Sequence, residues 1–183
     1  GDAFNSISLN PKTGAPLNPM INAGAIATAS LVQGETTEDQ WERIVDSLMA
    51  INILSKIVIM GDLNDDPTSP SLTKVLGAKG STDGLKEGGL YNPWFDFYKK
   101  GIGTIAYQDS WGLFDQVVIS KAWLDKTQTG YHFYRANIFN REFLVQKTGK
   151  YKSYPKRTWD GTTYNYGYSD HFPVFVTMLK KVN

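Results

Sequence analysis

The chain has 183 residues, 41% of them hydrophobic and 20% charged, with a formal net charge of +1. These figures predict one folded domain with a core of its own and exclude a disordered chain. There is no cysteine, which excludes a disulfide framework, a thiolate nucleophile and a thiolate metal site. Any metal would sit on oxygen or imidazole, the donors that suit Mg²⁺, Mn²⁺ or Ca²⁺.

The charge is uneven. Over residues 1–50, Lys12 and Arg43 stand against Asp2, Glu35, Glu38, Asp39, Glu42 and Asp46, and the remainder of the chain is net basic. A basic remainder favours phosphate-bearing partners, although an ordinarily solvated surface is the simpler account. No run of about 18 apolar residues occurs, so no membrane span is expected. The opening Gly1-Asp2-Ala3-Phe4 lacks the basic and apolar regions of a secretory leader.

Residues 1–20, rich in Asn, Pro, Gly and Ser, predict a loop or a short strand around Ser6-Ile7-Ser8-Leu9. Met20 to Val32 is a run of small apolar residues that suits a closely packed helix, with Gly34 as its C-cap. Thr37-Glu38-Asp39-Gln40 is a capping box, and Trp41, Ile44, Val45 and Leu48 follow on one helical face, predicting a helix to about Asn52. Ile57-Val58-Ile59-Met60 reads as a buried strand ending at Gly61-Asp62. A short helix is expected over Ser69 to Leu76 and a glycine-rich loop over residues 77–94. Strands are expected over Phe114 to Ser120, Tyr131 to Phe139 and Phe172 to Leu179, with a Lys/Tyr/Gly/Thr loop over residues 146–168. That loop, with Lys156 and Arg157, reads as a cover packing its own aromatics. Stacking on bases or sugars is its alternative use.

Three clusters place acidic or amide groups at strand ends, where a rigid sheet fixes them: Gly61-Asp62-Leu63-Asn64-Asp65-Asp66-Pro67, Phe114-Asp115-Gln116-Val117-Val118-Ile119-Ser120 and Ser169-Asp170-His171-Phe172-Pro173-Val174. Asp62 and Asn64 fall on one side of an extended segment. A carboxylate and an amide there can bind a hard cation, orient water or hold a phosphoryl oxygen; an Asx-turn is the structural alternative. Asp65 and Asp66 read as turn residues. His171, beside Asp170 and ahead of an apolar strand, can accept a proton or stabilise a phosphorane-like transition state, with Asp115 holding the ring. A histidine satisfied by a backbone carbonyl is the alternative. His132, among Tyr131, Phe133 and Tyr134, reads as structural.

GDLNDDP, FDQVVIS and SDHFPV, in this order, resemble the last three signature motifs of the endonuclease/exonuclease/phosphatase superfamily, over about residues 50–183. The resemblance implies a divalent-metal-dependent phosphodiesterase or phosphomonoesterase with Mg²⁺ or Mn²⁺. Asp62 would activate the attacking water or bind metal, and Asn64 would hold phosphate and water. Asp170 would bind metal, and His171 would contact the scissile phosphate, oriented by Asp115. The partner implied is a phosphoester substrate, nucleic acid among the candidates, and the lack of a long apolar run leaves no membrane partner expected. The family's first half supplies a strand-end Glu that binds the metal and an early supporting Asn; neither has a counterpart here. Metal binding is therefore expected to be weak and the activity crippled, with an inactive composite scaffold as the alternative.

FNSISLNPKTGAPLNPMINAGAIATASLVQG resembles an internal segment of bacterial glutaminases. The resemblance would place Asn22 against glutamine. The nucleophilic Ser and its Lys partner, upstream in such enzymes, are absent, so an amidohydrolase is a distant alternative. The chain thus reads as a chimera, joined within Glu42-Arg43-Ile44-Val45-Asp46-Ser47-Leu48. One composite domain over residues 1–183 is expected, with a glutaminase-like helical segment over 1–48 and a phosphoesterase-like part over 49–183. The expected fold is α+β, a layered β-sheet with flanking helices: half of a DNase I-like two-sheet sandwich plus the N-terminal helical segment.

Overall fold

A computed structural model describes residues 5–7, 25–27, 37–127 and 130–181, with side chains from residue 41 onward. The helix α1 spans Thr37–Ile51. Its apolar stripe buries Ile44, Val45 and Leu48, with Trp41 packed beside them, as the periodicity predicts. Asn52 ends it: its N–H still bonds the Leu48 carbonyl, while its side-chain oxygen accepts the Leu54 N–H at 2.9 Å, turning the chain out of the helix.

The central sheet contains β1 (Asn5–Ile7), β2 (Ala25–Ala27), β3 (Ile57–Asp62), β7 (Asp115–Ser120) and β4 (Leu90–Tyr91), in the spatial order β1-β2-β3-β7-β4. β1, β2 and β3 run parallel; β7 is antiparallel to both β3 and β4. Alternation sends Ile57, Ile59 and Val118 to one face, under α1, and Val117 and Ile119 to the other. That second face packs against β8 (Tyr131–Ile138) and β11 (Val174–Lys180), an antiparallel pair contributing Phe133, Ala136, Ile138, Val174, Val176 and Met178. Trp94 and Leu113 fill the space between, both wholly buried. The result is a helix–sheet–sheet stack, the α+β layered arrangement expected. Smaller elements complete it: one turn of π-helix (Ser71–Val75), α2 (Phe95–Lys99), and the hairpins β5–β6 (Ile105–Tyr107, Ser110–Gly112) and β9–β10 (Trp159–Asp160, Thr163–Tyr164).

Four expectations need correction. Residues 25–27, expected inside a packing helix, form β2, because the edge of β3 offers unpaired backbone groups and an apolar run without clear period fits a strand equally well. The rest of that expected helix, its Gly34 cap and Asn22 lie outside the described residues, as do the Thr37–Gln40 side chains. Met60, expected to be buried, is 61% exposed, because none of the described residues packs over its end of β3. The 77–94 loop contains β4, and the 146–168 loop contains the β9–β10 hairpin.

Candidate functional site

Asp62 ends β3 and Asp115 begins β7, and the two are direct cross-strand partners. Like charges placed opposite each other on one sheet face repel. The imidazole of His171 sits against both: Nδ1 lies 2.7 Å from Asp115 Oδ2 and 4.0 Å from Asp62 Oδ2. The first is a hydrogen bond and the second a longer electrostatic contact. With Nδ1–H donating to Asp115, Nε2 is left as the ring's other polar atom.

The turn after β3 fixes Asp62 further. The Asn64 N–H donates to Asp62 Oδ1 at 3.0 Å, and Asn64 takes the left-handed conformation, φ 53°, that asparagine tolerates. Gly61, at φ 152°, holds a backbone angle that side-chain-bearing residues avoid. The Asx-turn reading is therefore realised. It occupies one carboxylate oxygen and leaves Oδ2 facing the imidazole. The Asn64 side-chain amide makes no hydrogen bond among the described residues, and it is exposed. Asp65 and Asp66 are turn residues as expected: Asp65 accepts from the Ser71 hydroxyl, and Asp66 accepts the Leu113 N–H at 2.7 Å. Burial first, then the charge and hydrogen bond of Asp66, raise the Tyr98 phenol above its ordinary pKa.

His171 is held from below. Its N–H donates to the Ser169 hydroxyl, and the next residue, Phe172, is buried and stacked on Trp111 at 6.0 Å. The Phe172 N–H bonds the Thr104 carbonyl at 2.9 Å, and the Thr104 hydroxyl accepts the Asp115 N–H at 3.5 Å. Thr104, wholly buried, thus ties the His171 segment to the Asp115 strand. Gln116 is a second support. Its amide N–H₂ donates to the Asp65 and Leu113 carbonyls at 2.6 and 2.9 Å, and its oxygen accepts from Asn92 at 2.7 Å. Sequence reasoning assigned neither residue a role. Gln116 had a signal, a polar residue heading an apolar strand run; Thr104 had none.

The structure thus joins His171, Asp115 and Asp62, with Asn64 attached through the turn. Asp170 is exposed and makes no hydrogen bond or ion pair among the described residues. His132 lies on β8 opposite Leu179, in keeping with a structural role. Among the described residues no three His, Asp or Glu side chains converge to hold a metal ion. The described residues do not by themselves supply a ligand set for the Mg²⁺ or Mn²⁺ that the motifs imply.

Comparison with known proteins returns two kinds of relative. The first is the glutaminases: 56% identity over 50 residues with one from Clavibacter michiganensis subsp. michiganensis, covering 27% of this chain and 15% of that protein. One from Microcystis aeruginosa is 52% identical over 46 residues, 25% of this chain and 14% of that protein. One from Escherichia coli is 54% identical over 46 residues, 25% of this chain and 15% of that protein. The chain therefore spans only about 15% of the length of the curated relatives it matches. No solved structure matches. The second is a family model, described as the endonuclease/exonuclease/phosphatase family, which matches residues 30–180. Most of the chain lies within that match, and the chain belongs to the endonuclease/exonuclease/phosphatase family.

Proposed function

We propose that this chain carries a phosphoester-hydrolysis site in which Asp115 fixes His171 so that Nε2 meets the scissile phosphate. The observation that carries this reading is the 2.7 Å bond between His171 Nδ1 and Asp115 Oδ2, with Asp62 on the neighbouring strand. In this reading the oxygen of a water attacks phosphorus and its proton passes to Asp62. The bond from phosphorus to the leaving oxygen breaks, and that oxygen departs with the bonding pair and takes a proton from solvent water. His171, as imidazolium, hydrogen-bonds a phosphoryl oxygen, and the Asn64 amide holds another. A bound divalent metal would neutralise developing charge, but no step is assigned to one, since the ligands do not assemble among the described residues.

Near-background turnover is the expected result, because no metal-holding group of side chains converges among the described residues and the parts of such a unit act non-additively. The glutaminase-like segment supports the companion reading of a composite chain that keeps the motifs of one enzyme beside a piece of another. Glutamine hydrolysis is not expected.

Titrating inorganic phosphate into isotope-labelled protein is expected to shift the His171 Nε2 resonance. Asp115→Asn should weaken that response by a factor on the order of 10 or more, the worth of a charged hydrogen bond. A His171 resonance indifferent to phosphate would overturn the reading.

With bis(p-nitrophenyl) phosphate, hydrolysis should stay near background in Mg²⁺ or Mn²⁺, and calorimetry should show loose metal binding only. Metal-dependent turnover that disappears in EDTA and in His171→Ala would instead show that a carboxylate outside the described residues completes the site.

A further inference from the structure

The connection between β8 and β11 runs directly into Ser169-Asp170-His171, and its backbone is pinned. The Lys156 N–H donates to the Leu144 carbonyl at 2.7 Å, Tyr168 N–H to the Lys156 carbonyl at 2.8 Å, and Asn165 N–H to the Thr158 carbonyl at 2.8 Å. Beyond these bonds β9 and β10 pair, with Tyr164 opposite Trp159. Gly167 lies so close to the Lys156 and Arg157 carbonyls that a Cβ there would collide with backbone. Residues 156–168 therefore form a fixed arm.

The arm carries large rings that stay in water: Trp159 is 57% exposed, Tyr164 46%, Tyr166 77% and Tyr168 61%. Trp159 meets Tyr164 at 5.0 Å between centroids, and Tyr164 meets Tyr166 at 4.6 Å, both edge-on. These contacts orient the rings without covering them. The segment packs its own aromatics, as expected from sequence, Tyr151 on Tyr154 and Trp159 on Tyr164, yet leaves Trp159, Tyr164, Tyr166 and Tyr168 largely in water. Apolar surface left in water in one place marks a site of contact with something else.

The charge beside the rings says what that is. From residue 141 to 168 the chain holds Arg141, Lys147, Lys150, Lys152, Lys156 and Arg157 against Glu142 and Asp160. Among the described residues only Lys147 of these forms an ion pair, with Glu142. Arg141 lies over the Phe139 ring, and Lys150 and Arg157 lie over Tyr151. Exposed rings next to a net-basic stretch of chain suit a polyanion that also offers flat π-faces. Single-stranded nucleic acid offers both; a duplex stacks its bases on one another, and an anionic polysaccharide has none.

We propose that the 156–168 arm is a stacking platform for single-stranded nucleic acid. Bases lie on Trp159 and the tyrosines, phosphates meet Lys156 and Arg157, and the strand leads toward His171. Tyr168 and His171 are at most ~11 Å apart along an extended chain, so a strand on the arm ends beside the imidazole. The placement of a phosphodiester at His171 rests on the phosphoester reading above, whereas the stacking does not.

The test is fluorescence anisotropy with a labelled single-stranded oligonucleotide and its duplex, each across a salt series, followed by tryptophan quenching. Single strand is expected to bind tighter than duplex. Trp159→Ala should weaken it by roughly 5- to 150-fold, the range for one stacked base, with Trp159→Phe restoring most of the affinity. Lys156→Gln with Arg157→Gln should flatten the single-strand salt slope by about 1.4, which is about 0.7 for each phosphate no longer neutralised. Trp159→Ala should leave the phosphate-induced shift of His171 unchanged, which separates this proposal from the site's own chemistry. Equal binding of duplex, full competition by heparin with no effect of Trp159→Ala, or no binding at low salt would each overturn it. Binding of single strand with a His171 resonance indifferent to phosphate would sink the phosphoester reading and leave the platform standing.

Discussion

Gln116→Leu should lower the unfolding free energy by about 3–5 kcal/mol, read from the urea midpoint, since each buried polar group left without a partner costs about 1–3 kcal/mol. The side chain is wholly buried and serves three partners: the Asp65 and Leu113 carbonyls and the Asn92 amide. Leucine fills the volume and satisfies none of them. The damage reaches the site, because Gln116 is the neighbour of Asp115 and holds the turn that follows Asp62. In the same variant the phosphate response of His171 should fall. Gln116→Glu is the sharper control: it turns a carboxylate toward two carbonyl oxygens, and should be at least as destabilising as leucine. A leucine variant as stable as the parent would show that this hydrogen-bond hub holds nothing in place.

Trp94→Ala should cost a comparable amount, about 3–5 kcal/mol, the range for emptying a large aromatic site in a packed core. The ring has no exposed surface; it meets Phe97 at 5.3 Å and donates its indole N–H to the Val117 carbonyl at 3.3 Å. It lies in the core cluster where β8 and β11 pack on the sheet, so its loss should loosen the two layers together. Against a typical domain stability of about 5–15 kcal/mol, such a loss leaves a chain close to unfolding at physiological temperature. Trp94→Phe keeps most of the ring and should cost clearly less. Thermal unfolding followed by near-ultraviolet dichroism measures both.

What could be read from the sequence depended on the length and period of each segment. α1 announced itself through a capping box and a buried stripe, and β3, β7, β8 and β11 through apolar runs long enough to show a direction. α2 is five residues and the β5 and β6 strands three each. Elements so short are shaped by what surrounds them, and residues 95–113 gave no local signal. Met60 was misjudged for the same reason: hydrophobicity says that a side chain prefers cover, not whether a neighbour provides it. Of the site, the pairing of His171 with Asp115 was anticipated from strand-end placement, and the structure brings the two together. For Asp62 the two readings turned out compatible, one oxygen closing the Asx-turn and the other facing the ring. Thr104 and Gln116 were invisible because their work is done by contacts with residues far away in sequence.

β2 has a consequence for what a sheet edge demands of the segment that covers it. It joins the sheet through backbone pairing of Ala25 with Ile57 and Ile26 with Val58, inside a stretch that resembles the glutaminases. Ladder bonds between strands ask for N–H and C=O groups in register and are nearly blind to side-chain identity. A stretch like this one can therefore act as a seal on an open margin without matching its neighbour residue by residue. Cutting the chain ahead of residue 37 would strip that seal and turn β3 into a sticky rim, prone to recruit a strand from another molecule, so that turbidity or multimers would register the loss before any catalytic assay did.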